Sequence, residues 1–177
     1  MLKIAYASGI NGEFGYLGGL PWGRPLKGDL QEFMRFTADC VLLMGGDTFR
    51  SLSTRLRNLP HVVISRDPEV HTIDGSQPNL QYTYLDVSII DRIRHVYPDK
   101  DICVIGGASI IEYFYKYADS VLHTLIFSTW GIEGYTPLDK EVYIDKTLTL
   151  DHVKYPISIK RGKERGYNYL VRIYNKC

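Results

Sequence analysis

Apolar residues along this chain fall into short runs separated by glycine, proline and polar turns, and the runs alternate between two periodicities. LKIAYAS (2–8), CVLLMG (40–45) and HVVIS (61–65) are brief, apolar and bounded by turn residues, the pattern of strands buried on both faces. QYTYL (81–85) predicts a fourth strand. Between these runs, Leu30, Phe33, Met34 and Thr37 recur at helical spacing over about 29–37, and a second helix is predicted over roughly 47–55. Ile89, Ile90, Ile93 and Val96 share one face of an amphipathic helix over 88–96. DICVIGGASIIEYFYKYADSVLHTLIF (101–127) reads as strand, double glycine, helix and strand. From about 140 strand patterns return, closing on YNYLVRIY (167–174), whose alternation suits an antiparallel edge hairpin.

Strands alternating with helices and ending in a hairpin predict an α/β fold. The expected form is one domain over 1–177: a central, mixed, mainly parallel sheet of about eight strands, helices on both faces and an antiparallel C-terminal strand. Residues 9–28 carry Gly at 9, 12, 15, 18, 19, 23 and 28 and Pro at 21 and 25, so no regular element is predicted there. The apolar Phe14, Tyr16, Leu20 and Trp22 within it argue for a functional loop rather than disorder.

Charge narrows the class of ligand. Twenty-one basic against twenty acidic residues leave a formal charge of +1, which offers no bulk attraction for nucleic acid or an anionic membrane. A small molecule is the expected partner, bound by a monomer. Cys40, Cys103 and Cys177 are odd in number and widely spaced, so neither a disulfide framework nor a zinc site is suggested. MLKIAYASG lacks the features of a signal peptide and no apolar run approaches a membrane span, which leads to an expected cytoplasmic location.

Three constellations carry candidate chemistry. Asp29 follows LPW (20–22) and a Gly-rich loop, with Phe33 one turn later on the same face; D-L-Q-E also matches a capping box, with Asp29 as cap and Glu32 reaching back. An acid beside aromatic side chains in an apolar cleft recognises a flat nitrogen heterocycle and assists its protonation. VIGGASI (104–110) and LLMGGDTF (42–49) are each strand, double glycine and helix, placing backbone N–H groups of Gly106, Gly107 and Ala108, and of Gly45, Gly46 and Asp47, where phosphate is attracted. Two such turns at strand ends suggest one extended phosphate-bearing ligand, a dinucleotide. Arg66, after Ser65 at a strand end, suits bidentate phosphate pairing. KRGKERG (160–166) reads as a charged hairpin tip, and the histidines at 61, 71, 95, 123 and 152 show no metal spacing and read as solvated or satisfied.

Taken in order, LPW, Asp29, Leu30, Phe33 and Thr37, then Met44, Gly45, Thr48, Phe49 and Ser51, then Val104 to Gly107 and the closing Y-x-Y-x-V-x-I-Y strand closely resemble dihydrofolate reductase over nearly the whole chain. The resemblance implies NADPH-dependent reduction of 7,8-dihydrofolate to tetrahydrofolate, serving thymidylate and one-carbon metabolism. It implies Asp29, Trp22 and Leu20 as catalytic residues and Ala5, Asp29, Leu30, Phe33, Leu52, Leu56, Arg57, Ile105 and Thr124 as substrate-binding residues, with Thr124 bracing the acid. For the cofactor it implies Ala7, Phe14, Gly15, Gly19, Leu20, Gly45, Gly46, Asp47, Thr48, Ser65, Arg66, Ile105, Gly106, Gly107, Ala108, Ser109 and Ile110, with the loop 9–24 as a lid and no metal.

The sequence departs from the family pattern at four places. Gly46 occupies the place of a basic residue that grips the cofactor's 2′-phosphate, which shifts NADPH preference onto Ser65-Arg66. Leu59 stands where an arginine usually binds the folate glutamate, leaving Arg55 or Arg57 as substitutes. Ile111 replaces an expected tyrosine, and Tyr135 or Thr136 lies where some relatives use an acid in lid closure. A divergent, phage-type member fits these departures. The alternatives are the pyrimidine reductase of riboflavin synthesis and a structural protein that retains the fold.

Overall fold

The computed structural model describes residues 1–56, 58–128, 136–139 and 158–175. Its centre is an eight-stranded sheet of β1 (Leu2–Gly9), β3 (Cys40–Gly45), β4 (His61–Ile64), β5 (Leu80–Tyr82), β6 (Asp101–Gly106), β7 (Ser120–Phe127), β9 (Ser158–Glu164) and β10 (Tyr167–Asn175). The spatial order is β5-β4-β3-β6-β1-β7-β10-β9. The first six strands run parallel, whereas β10 is antiparallel to both β7 and β9. The mixed, mainly parallel sheet read from the pattern is the one formed, with β9 rather than the alternating β10 at the edge.

Alternate residues of the strands feed two cores. On one face Ile4, Tyr6, Leu43, Val62, Val104 and Val121 pack against α3 (Ser88–Val96) and α4 (Ala108–Tyr115). On the other, Ala5, Leu42, Met44, Cys103 and Leu122 pack against α1 (Lys27–Phe36) and α2 (Gly46–Ser51) through Leu26, Phe33 and Phe49. Fully burying an aliphatic or aromatic side chain is worth about 1.5–3 kcal/mol, so this two-sided burial is what holds the parallel strands. Cys40 and Cys103 are free and buried; Cys177 lies outside the described residues. No helix among the described residues is long and apolar enough to cross a membrane.

Several element boundaries differ from the sequence reading. The loop 9–28 contains a strand, β2 (Glu13–Gly15), which pairs with β8 (Thr136–Pro137), and short bridges at Tyr16–Gly19 and Leu20–Gly23. α1 begins at Lys27 with Leu26 at its N-cap, so Asp29 is the third helical residue and not the cap. The capping box does not form: Glu32 holds Arg35 at 2.6 Å and Lys160 at 2.7 Å instead. α2 stops at Ser51, not 55: Leu52 takes extended backbone, and its carbonyl and that of Ser53 accept hydrogen bonds from Ile73 and Asp74. β5 ends at Tyr82, beyond which Tyr84 and Leu85 are exposed. Arg165 and Gly166 turn the C-terminal hairpin with φ of 50° and 82°, the geometry of a tight two-residue turn.

Candidate active site

The C-terminal ends of β1, β3, β4 and β6 open into a cleft of about 960 Å³, at the upper end of ordinary single-ligand sites and large enough for two molecules side by side. Asp29 lies on its wall. The residue is accessible only in part, and its Oδ1 accepts a 2.5 Å hydrogen bond from the Thr124 hydroxyl on β7. Burial pushes the Asp29 carboxyl above its ordinary value, against the opposing pull of the Thr124 hydrogen bond. Leu30, Phe33 and Leu52 line the same end, with Ala5, Ala7 and Ile105 contributed by the strands. Trp22 is buried and lines the cleft together with Leu20, Phe14, Gly15 and Gly19 of the lid.

At the other end the two double-glycine turns meet. A Cβ on Gly45 would lie 3.2 Å from Ile110 Cγ1 and 3.7 Å from the Gly107 nitrogen. Gly106 has φ of 146°, and a Cβ there would fall 2.9 Å from Thr48 Oγ1, so both conformation and space demand glycine. Gly46, Asp47, Thr48, Gly107, Ala108, Ser109 and Ile110 all line this end. The first N–H groups of α4 therefore border the cleft, where an anionic group is favoured.

A side chain at Gly46 would require Ser65 to shift. A Cβ there would meet Ser65 Oγ at 2.9 Å and Arg50 Nη1 at 3.3 Å. Arg50 bridges Asp47 at 2.9 Å and Asp67 at 2.6 Å, while Arg66 is exposed and makes no hydrogen bond or ion pair with the described residues. Of the residues expected from sequence, Ser65 and Arg66 thus flank the cleft without lining it, and Leu56 packs partly buried against the core cluster instead. Gly106 and Thr124 act from just behind the lining. Arg57 and Tyr135 lie outside the described residues.

Sequence reasoning missed Ile64, Ser51, Glu112 and, as a lining residue, Thr136. Ile64 had a usable signal, since it ends a parallel strand on the side where such sheets bind ligands. Thr136 carries no local pattern; it reaches the cleft because Gly15 pairs with it across β2 and β8, and Leu138 N–H donates to the Gly12 carbonyl at 2.9 Å. Backbone pairing thus ties down the lid at the place where the sequence lacks an acid.

The family model described as dihydrofolate reductase matches residues 1–149. Dihydrofolate reductase of Mycoplasma pneumoniae is 28% identical over 149 residues, covering 78% of this chain and 84% of the relative. Dihydrofolate reductase type 9 of Escherichia coli is 32% identical over 130 residues, covering 71% and 70%. A solved dihydrofolate reductase from Enterococcus faecalis, complexed with NADP(H) and RAB-propyl, superposes with a TM-score of 0.71 at 19% identity, over 99% of this chain and 95% of that one, an agreement of fold. With a family model spanning five-sixths of its length and an acid, a lid and paired glycine turns gathered around one cleft, this chain belongs to the dihydrofolate reductase family.

Proposed function

We propose that the protein reduces 7,8-dihydrofolate to tetrahydrofolate with NADPH, and so supplies thymidylate and one-carbon metabolism. One observation carries the reading: the carboxylate at the apolar end of the cleft, Asp29, is raised by burial and oriented by Thr124 under a lid bearing Leu20 and Trp22. Thr124 occupies Oδ1, which leaves Oδ2 to accept from the amino and ring N–H edge of a pterin. A carboxyl raised by burial binds a proton more readily than a solvated one, and so favours protonation of the pterin at N5. Ala5, Leu30, Phe33, Leu52 and Ile105 supply apolar contact for the folate rings. Closure of Leu20 and Trp22 excludes water from them.

The residues at the other end fit a dinucleotide. Gly45, Gly46 and Gly107 line this end with backbone, Gly46 and Gly106 let Ser65 and Thr48 pack close behind it, and the α4 N-terminus offers N–H groups to a pyrophosphate. NADPH supplies the hydride when bound there. Ser65 and Arg66 are the groups assigned to its 2′-phosphate, with Arg66 uncommitted to any carboxylate of the described residues.

Purified protein is expected to oxidise NADPH only when dihydrofolate is present, followed by loss of NADPH absorbance. Asp29→Asn should cut kcat near neutral pH by about 10²–10⁴-fold, the range for losing a positioned acid, with little change in melting temperature. NADPH oxidation that ignores dihydrofolate, or an Asp29→Asn enzyme as fast as wild type, would sink the reading.

A further inference from the structure

The first turn of α1 is capped from outside the helix. Leu26 gives it no side-chain cap. Instead Lys27 N–H donates to Glu164 Oε2 at 2.6 Å, and the Tyr169 hydroxyl lies against the backbone at Gly28. Both side chains belong to the C-terminal hairpin, far along the chain from the helix they cover.

Two glycines make room for this. Tyr169 stands directly opposite Gly162 in the β9–β10 register, and its ring lies across that glycine. A Cβ on Gly162 would fall 2.2 Å from the Tyr169 Cζ, and a Cβ on Gly28 would fall 2.2 Å from its hydroxyl oxygen. The phenol therefore occupies the volume of two absent side chains, one on each element it joins.

Asp29 is the third residue of α1, the position from which an acid readily reaches back to uncapped N–H groups of its own first turn. Here the Lys27 N–H is already engaged by Glu164, the Tyr169 phenol stands against Gly28, and Asp29 takes its hydrogen bond from Thr124 instead. We infer that Tyr169 and Glu164 are positioning residues for the reaction: by covering the first turn of α1 from the hairpin, Glu164 with a hydrogen bond and Tyr169 with its phenol, they keep the Asp29 carboxylate turned into the cleft. Neither lines the cleft. The functional part of this inference rests on Asp29 being the acid of the proposed reaction, whereas the capping itself does not.

The groups around Asp29 fix the direction of the test. Thr124 approaches from β7, Tyr169 from β10 and Glu164 from β9; Glu32, one turn later on α1, is held by Arg35 and Lys160, and Arg165 is directed to the carbonyls of Arg24 and Pro25. Removing the Glu164 carboxylate and the Tyr169 hydroxyl bares the Lys27 N–H, uncovers the backbone at Gly28 and deletes the Glu164 negative charge. These changes favour the charged carboxylate.

The experiment is a ¹³C NMR titration of the Asp29 carboxyl in the full-length protein without ligands, assigned by its loss in Asp29→Asn. In Tyr169→Phe/Glu164→Ala the midpoint should fall by about half a pH unit, the size of one helix-terminus charge interaction, and the kcat profile should move with it. Tyr169→Phe alone keeps the ring in place and should show a smaller shift of the same sign, which keeps the test open if the double variant does not fold. An unchanged midpoint accompanied only by a lower melting temperature overturns the inference. A wild-type protein that titrates as described yet fails to reduce dihydrofolate would instead refute the proposed function and leave the capping intact.

Discussion

His123 offers the sharpest test of electrostatics outside the cleft. Ser8, His123 and Arg172 are all but fully buried on the face of the sheet opposite Asp29, with the His123 ring stacked on Tyr6 at 4.4 Å. A guanidinium has donors only, so the 2.5 Å contact from Arg172 Nη2 requires an unprotonated Nδ1 on His123. The proton is then on Nε2, which donates to Ser8 Oγ at 2.8 Å. Burial, and behind it the Arg172 charge, holds the His123 pKa well below the ordinary histidine value. The unfolded chain takes up this proton below about pH 6.5 while the folded one does not, so stability is full above that pH and falls as pH drops, at up to about 1.4 kcal/mol per unit. Integrated from about pH 7.5 to about pH 5 the loss is about 2 kcal/mol, a sizeable part of a typical 5–15 kcal/mol. In His123→Asn the side-chain oxygen can still accept from Arg172, but nothing there titrates. Urea denaturation across this range should find wild type the more stable at about pH 7.5, with the difference shrinking on acidification by the work of one proton. His61, also buried and held below its ordinary value, contributes equally to both proteins and cancels. Parallel stability curves for the two proteins would refute the assignment of His123 as a neutral, Arg172-bound imidazole.

Two further outcomes test the cleft. Thr124→Val removes the hydrogen bond that opposes burial, so the Asp29 carboxyl should rise further and the pH limit of kcat should move to higher pH. Lost orientation of the acid should also weaken dihydrofolate binding about tenfold, the worth of one hydrogen bond to a charged group, as measured by fluorescence titration. Gly106→Ala places a methyl group 2.9 Å from Thr48 Oγ1 at a φ of 146°. It should destabilise the fold by roughly 1–3 kcal/mol and weaken NADPH binding in calorimetry much more than dihydrofolate binding; equal loss of both ligands would count against a cofactor end built on the glycine turns.

The parallel strands were legible because burial on both faces writes itself as a local apolar run between glycines. Asp29, Trp22, Phe33 and both double-glycine turns were legible for the same reason, each being a short segment whose types and spacing carry its role. What escaped was set by partners distant in sequence. The start of α1 was misplaced by two residues because the groups that cover its first turn, Glu164 and Tyr169, lie on the closing hairpin, and a local D-x-x-E match offered a plausible substitute. The end of α2 was misplaced because Leu52 turns to extended backbone, and its carbonyl and that of Ser53 accept from Ile73 and Asp74, partners far along the chain. The three-residue β2 has no period to detect, and its pairing with Thr136 exists only once β7 has carried the chain back to the lid.

The same long-range logic connects the two faces of the sheet. Along β7, Thr124 points to Asp29 while its neighbour His123 points to the opposite core, and in the parallel pairing of β1 with β7 Tyr6 lies opposite His123 and Ala7 opposite Thr124. On β10, Arg172 is the register partner of His123. A slip of β10 by one residue would turn the Arg172 guanidinium away from its imidazole acceptor and toward the apolar face lined by Leu122 and Val171, leaving a buried charge without a partner. An apolar core on both faces would tolerate neighbouring registers far better than one containing a charge with a single good acceptor. The polar cluster therefore resists the strand shifts that would carry Tyr169 off Gly162 and Gly28. Since that tyrosine packs against the first turn of the helix bearing Asp29, the alignment of β10 reaches the cleft through a short chain of contacts, each fixed by sterics or hydrogen bonding.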